Sequence, residues 1–229
     1  MQEKNLSQVI RDKMKADGKR FFASDNISEY LDDGIREDLI DELAEKFKDV
    51  LDTLLIDTEK DPNSKDTAKR LAKMYVNEIM SGRYYPAPDC TSFPNDGNYE
   101  GMLVVRSELK SMCSHHHQPV SGVAYIGIIA AKKLIGLSKY TRIAQWCAMR
   151  GTLQEELCAD IANEIKLATG SPNVGVYIQA THGCCENRGI RAHSSLTQTT
   201  VLMGGFMHDP SIKKEFFDNI KLQQDFAPR

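Results

Sequence analysis

Residues 102–130 read MLVVRSELKSMCSHHHQPVSGVAYIGIIA. On either side of the histidine run, MLVVRSELKSMC and VSGVAYIGIIA are rich in β-branched and apolar residues, which predicts two strands. The run itself is their connection, so Cys113, His115, His116 and His117 belong to strand ends. Three adjacent internal histidines satisfy no alternation rule for a half-buried strand and are no terminal tag. They call for a chemical explanation.

Downstream, Gly136 and Ser138 introduce a helix whose apolar positions include Ile143, Trp146 and Cys147. After Arg150-Gly151, Thr152 is placed to cap a second helix carrying Leu153, Leu157, Ile161 and Ile165, closed at Gly170. VGVYIQATHGC (174–184) and SLTQTTVLMGGF (195–206) predict another pair of strands. A last helix follows in DPSIKKEFFDNIKL, opened by Asp209 with Pro210 in its first turn. The class is α+β, with a ββααββ antiparallel sheet and a helix pair over residues 101–229.

Upstream, RYYPAPDCTSFPNDGNYEG is rich in proline and glycine, and residues 83–100 are expected to be a connector without regular structure. Ile35, Leu39, Ile40, Leu43, Phe47, Val50, Leu51 and Leu54 fall on one helical face. A second helix, capped by Ser64 or Asp66, runs to about Ile79 and stops at Ser81-Gly82, giving a helical hairpin over 35–82. Residues 1–34 show little periodicity and read as a poorly ordered or partner-dependent arm.

The 229 residues carry a formal charge of −3, with 27% charged and 41% hydrophobic residues. That balance fits a soluble globular protein and excludes a general nucleic-acid binder. No apolar run approaches the roughly 20 residues of a membrane span, and the opening residues lack the apolar stretch of a secretory signal. A cytoplasmic setting is expected, where the six cysteines serve as buried thiols or metal ligands.

Cys113 and His116 form a Cys-x-x-His pair, and His182-Gly183-Cys184 offers a further soft ligand. Three such ligands leave the open position of a catalytic zinc, whereas a fourth from Cys185 or His117 makes a closed structural site; spacing alone leaves both open. His115 and His182 lie beside the ligand candidates, and imidazole is the side chain that titrates nearest neutral pH.

These residues resemble the GTP cyclohydrolase I family. Its Cys-Glu-His-His, proline, glycine, Gly-Leu-Ser-Lys-x-x-Arg, Gln-Glu, His-x-Cys and following arginine are similar to Cys113-Ser114-His115-His116, Pro119, Gly122, GLSKYTR (136–142), Gln154-Glu155, His182-Gly183-Cys184 and Arg188. The intervals match throughout, and DTAKRLAKMYVNEIMSG (66–82) and GGFMHDPSIKKEFFDNI (204–220) are also similar, so the likeness spans roughly residues 35–222.

The resemblance implies a tunnelling fold assembled as a homodecamer, with active sites at subunit interfaces. It implies a hydrolase that opens the guanine imidazole ring of GTP, releasing formate and forming 7,8-dihydroneopterin triphosphate for pterin biosynthesis. By the same resemblance Cys113, His116 and Cys184 hold Zn2+, and His115 and His182 move protons. Ser138 serves the ribose rearrangement, Gln154 and Glu155 read guanine, and Arg70, Lys139, Arg142 and Arg188 bind the triphosphate.

Outside that motif Lys139 and Arg142 read as a solvated helix face, and Gln154 and Glu155 as first-turn residues. Ser114 departs from the family's glutamate. A missing carboxylate beside zinc and two histidines is expected to tune rate or pH optimum. The rival readings are a non-catalytic or structural-zinc ring protein of this fold, and a related tunnelling-fold enzyme acting on another purine or pterin. Retention of the ligands, both proton-transfer histidines and the guanine pair favours the cyclohydrolase.

Overall fold

A computed structural model describes residues 5–225, which divide after Pro86, inside the predicted connector, into two units. In the first, α1 (Leu6–Ala16) precedes α2 (Asp33–Thr53), α3 (Thr67–Met74) and the single turn α4 (Ser81–Tyr84). Within the arm read as poorly ordered or partner-dependent, Leu6–Ala16 is helical. Leu6, Ile10 and Met14 recur every fourth residue and make an apolar stripe that packs with Ile27, Tyr30 and Leu31. Glu42 of α2 accepts from the Ser7 backbone N–H at 2.9 Å and from its hydroxyl at 2.6 Å, anchoring the start of α1. The stripe is too short to stand out in the sequence, and tertiary packing stabilises it.

Helix α2 opens with Asp32 accepting from the Ile35 N–H at 2.8 Å. Its middle, through Ile40, Leu43 and Phe47, packs on Ala72 of α3 and on Val76 just beyond it, whereas Val50 and Leu54 on the same predicted face are 53% and 64% exposed. α3 ends earlier than predicted: residues 75–79 widen into a π turn, with the Met80 N–H bonded to the Tyr75 carbonyl at 3.1 Å.

The second unit is built on a five-stranded sheet. Strands β2 (Met102–Cys113), β3 (Pro119–Ile129), β6 (Val174–His182) and β7 (Thr197–Leu202) are antiparallel neighbours, and β5 (Gly151–Thr152) adds a parallel edge beside β2. The predicted ββααββ order is present, with α5 (Leu137–Ala148) and α6 (Gln154–Thr169) between the strand pairs. Thr152 lies in β5 rather than capping α6, because its backbone pairs with Cys113. The expected connector also contains β1 (Ser92–Pro94), paired with β4 (Lys133–Ile135).

Alternation sorts the two faces of the sheet. Ala124, Ile126 and Ile128 of β3 and Val176, Ile178 and Ala180 of β6 bury against Ile143, Cys147, Leu157, Ile161 and Ile165 of α5 and α6. On the opposite face Tyr125 meets Phe206 of α8 (Gly205–His208) and Phe216 and Ile220 of α9 (Pro210–Asp225). Arg150 is buried, stacked 4.0 Å over the Trp146 ring and 3.7 Å from Asp160, which ties the end of α5 to α6.

Gly127 and Gly175 are direct cross-strand partners under the Phe206–Phe216 pair. A Cβ at Gly127 would lie 2.6 Å from the Phe216 ring, and one at Gly175 would lie 2.8 Å from the Phe206 ring. Gly127→Val is therefore expected to destabilise the protein by about 1–3 kcal/mol through overpacking. The unfolding midpoint in urea measures it, and an unchanged midpoint would refute this account of the glycine pair.

Candidate active site

The end of β2, the start of β3 and the end of β6 meet at one end of the sheet. Cys113 closes β2, and His182, the last residue of β6, lies opposite Val120 of β3. The connection is a tight turn: the Cys113 N–H donates to the Gln118 carbonyl at 3.0 Å, and the His117 N–H to the Cys113 carbonyl at 2.9 Å. His117 has φ of 50°, the left-handed region that histidine tolerates better than branched residues. Its backbone shapes the turn.

After His182 the chain winds into the single turn α7 (Gly183–Glu186), which presents Cys184. The ligand atoms of Cys113, His182 and Cys184 lie within 4.8 Å of one another. His116, predicted as a ligand, is exposed in the turn and outside this trio; His115 Nδ1 is 3.8 Å from the Cys113 sulfur.

Two thiols and an imidazole form a soft donor set suited to zinc. Burial and the adjacent Cys113 and Cys185 thiols push the Cys184 thiol well above its ordinary value. Crowded sulfurs resist ionising together, and a cation among them removes that penalty. All six cysteines are free thiols. Cys185 Sγ is 4.0 Å from Cys184 Sγ, beyond bonding distance for a disulfide.

Burial also lowers the pKa of His182, against the opposing pull of Glu155 and Glu186. Its Nε2 lies 2.7 Å from Gln154 Oε1. Gln154 opens α6 and is only 4% exposed, its side chain turned inward onto protein partners. Glu155 beside it is exposed on the first turn. The inward turn of Gln154 was not legible, because a helix-opening glutamine ordinarily faces water.

The remaining predicted residues are spread along the chain. The chain enters α5 from the sheet end where β3 finishes at Ile129, and leaves it at Ala148, just before β5 pairs with Met112 and Cys113. Ser138, Lys139 and Arg142 occupy the first half of α5, away from the cysteine end, and the Lys139 ammonium donates to the Asp89 carbonyl at 2.5 Å. Arg188 is exposed beyond α7, and Ser114 is half-buried in the turn. Arg70 lies on α3 in the first unit, 3.5 Å from Asp66.

Among the described residues, no helix is long and apolar enough to cross a membrane. The crystal structure of the archaeosine synthase QueF-Like in the apo form matches 45% of this chain and 94% of its own at 17% identity, with a TM-score of 0.38. That likeness is too slight to bear on the reaction. Sequence relatives are closer. GTP cyclohydrolase 1 of Flavobacterium johnsoniae is 38% identical over 83% of this chain and 85% of its own. The protein of the same name from Aeromonas salmonicida is 38% identical over 75% and 79%, and that from Aliivibrio salmonicida is 35% identical over 81% and 86%. The sequence model of GTP cyclohydrolase I matches residues 43–221, and with the cysteine and histidine cluster inside that span, the chain belongs to the GTP cyclohydrolase I family.

Proposed function

We propose that the protein opens the imidazole ring of guanine in GTP, releases formate and yields 7,8-dihydroneopterin triphosphate. The observation that carries this reading is the convergence of Cys113, His182 and Cys184 at one end of the sheet in a chain of this family. Following the motif, Cys113, His116 and Cys184 would hold Zn2+; His116 is exposed in the turn, three residues after Cys113. Zinc bound there supplies a Lewis acid that makes hydroxide available near neutral pH.

His115 and His182 are assigned to proton transfer. A proton delivered to guanine N7 makes C8 electrophilic, and placed proton transfer of this kind contributes roughly 10²–10⁴ in rate. Glu155, exposed at the start of α6, accepts from guanine N1–H and the exocyclic amine together. Adenine lacks that donor pair and would leave the carboxylate unmatched. Ser138 is assigned to the ribose rearrangement, and Arg70, Lys139, Arg142 and Arg188 to the triphosphate. Ser114 leaves the site one carboxylate short of the family pattern and tunes it.

The distribution of these residues supports an assembly. Ser138, Lys139 and Arg142 begin α5, whereas Cys113 and Cys184 sit where that helix has ended. A twelve-residue helix is about 18 Å long, so within one copy the first turn of α5 and the cysteines lie at opposite ends of a helix. We infer a homo-oligomer, the family's decamer, in which one copy's α5 completes another's cysteine site. β7 is an open edge of the five-stranded sheet, available for pairing between copies. The free thiols suit a cytoplasmic setting.

The test is to incubate the zinc-loaded full chain with GTP and follow formate together with pterin absorbance and fluorescence. One formate per pterin is expected, with Glu155→Gln reducing turnover on the order of 10²-fold or more. No turnover at any pH with zinc bound would overturn the reading.

A further inference from the structure

The Gln154 side chain has a direction that its neighbours dictate. Its Nε2 lies 3.2 Å from the Thr197 carbonyl, 3.2 Å from Thr199 Oγ1 and 3.4 Å from the Ile178 carbonyl. Carbonyl oxygens only accept, so the end of the amide that faces them must be the NH2 group. Turning the amide over would set its oxygen against two carbonyl oxygens in a buried place, an arrangement that forfeits bonds and adds repulsion. The amide oxygen is thereby fixed on the other side, 2.7 Å from His182 Nε2.

That oxygen also only accepts. His182 Nε2 must then carry the hydrogen, and a neutral imidazole has only one, so Nδ1 keeps its lone pair. The acceptors that begin this chain come from the backbone of β6 and from β7, whose register places Thr197 opposite Ala180 and Thr199 opposite Ile178. The pairing of the last two strands thus sets the hydrogen placement of a histidine in the cysteine cluster.

We propose that Gln154 is a positioning residue that holds His182 in the Nε2–H tautomer, leaving Nδ1 as its basic nitrogen, while Glu155 alone of this pair reads guanine. The proposal rests on the cyclohydrolase reading for its kinetic consequence, but not for the tautomer. A glutamine that binds substrate and one that orients a histidine predict opposite kinetic signatures. Loss of a substrate contact raises KM, whereas loss of an orienting bond lowers kcat.

Gln154→Met, close in volume and without polar atoms, is expected to lower kcat about 10–100-fold with KM for GTP changed less than about twofold, the range seen when a histidine loses its orienting partner. Independently of turnover, magic-angle-spinning 15N spectra of zinc-loaded protein labelled in histidine, with His182→Gln to assign the resonance, should give the Nε2–H tautomer in the native chain and a tautomer mixture in Gln154→Met. Because the native spectrum needs no variant, a poorly folding substitution leaves the idea testable. An Nδ1–H His182 in the native chain, or a Gln154→Met protein with raised KM and native kcat, would overturn it. A native chain that turned over no GTP would defeat the cyclohydrolase reading, and the 15N spectrum would still decide the tautomer.

Discussion

Cys113→Ala protein is expected to hold no zinc and to release formate at least about 10³-fold more slowly than the native chain, because the Lewis acid and the ordering of the site are lost together. The loss should be chemical. Cys113 is held by backbone bonds, to the Gln118 carbonyl at 3.0 Å and from the His117 N–H at 2.9 Å, and alanine keeps both. Removing one buried sulfur from a small side chain costs little packing, so circular dichroism and the unfolding midpoint should stay near native values. Zinc content by mass spectrometry and formate release give the readouts. A Cys113→Ala protein with full zinc and native turnover would remove the cluster from the chemistry altogether.

The same assay assigns the third ligand. The trio closest in space contains His182, whereas the family motif designates His116. If His182 moves protons, His182→Ala should keep zinc and lose turnover, and His116→Ala should lose zinc. The reverse pattern would make the spatial trio the ligand set and give His116 the exposed supporting role.

Long periodic segments were legible in the sequence: α2, α6, α9 and the β2–β3 and β6–β7 pairs all have apolar patterns of eight residues or more, or dense β-branched runs bounded by glycine or proline. What escaped was short or conditional. α1 depends on a stripe of three side chains, and β1, β4 and β5 span two or three residues whose only reason to be extended is the strand beside them. At the site, residue types and spacing pointed to Cys113, Cys184 and the histidines, since no packing rule asks for them there. The roles of neighbours were not written in the same way. Gln154 and Glu155 are adjacent polar residues on one helix turn, yet one is buried against β6 and β7 and the other faces water. That difference comes from the rotation of α6 against the sheet. Composition does not encode it.

Cys113→Ala and Lys139→Ala proteins, each inactive as a pure assembly, are expected to regain turnover when unfolded together and reassembled. Both substitutions leave sheet and helix intact: Cys113 ends β2, and Lys139 sits on the first turn of α5 with its ammonium on the Asp89 carbonyl. If the cysteine end of one copy is completed by α5 of another, random mixing of equal amounts gives about a quarter of sites an intact half from each parent, and so about a quarter of native turnover. If each chain carries a whole site, no mixture contains an intact one, and the mixed sample stays as inactive as its parents. The distinction does not depend on knowing the number of copies. It also separates two explanations for the position of Ser138, Lys139 and Arg142: if they form a shared site, an α5 substitution is rescued in trans, whereas a solvated helix face would leave Lys139→Ala fully active before any mixing. Restored activity would make the length of α5 a functional dimension, setting how far apart the two halves of the site lie within one copy and therefore which surfaces of two copies must meet.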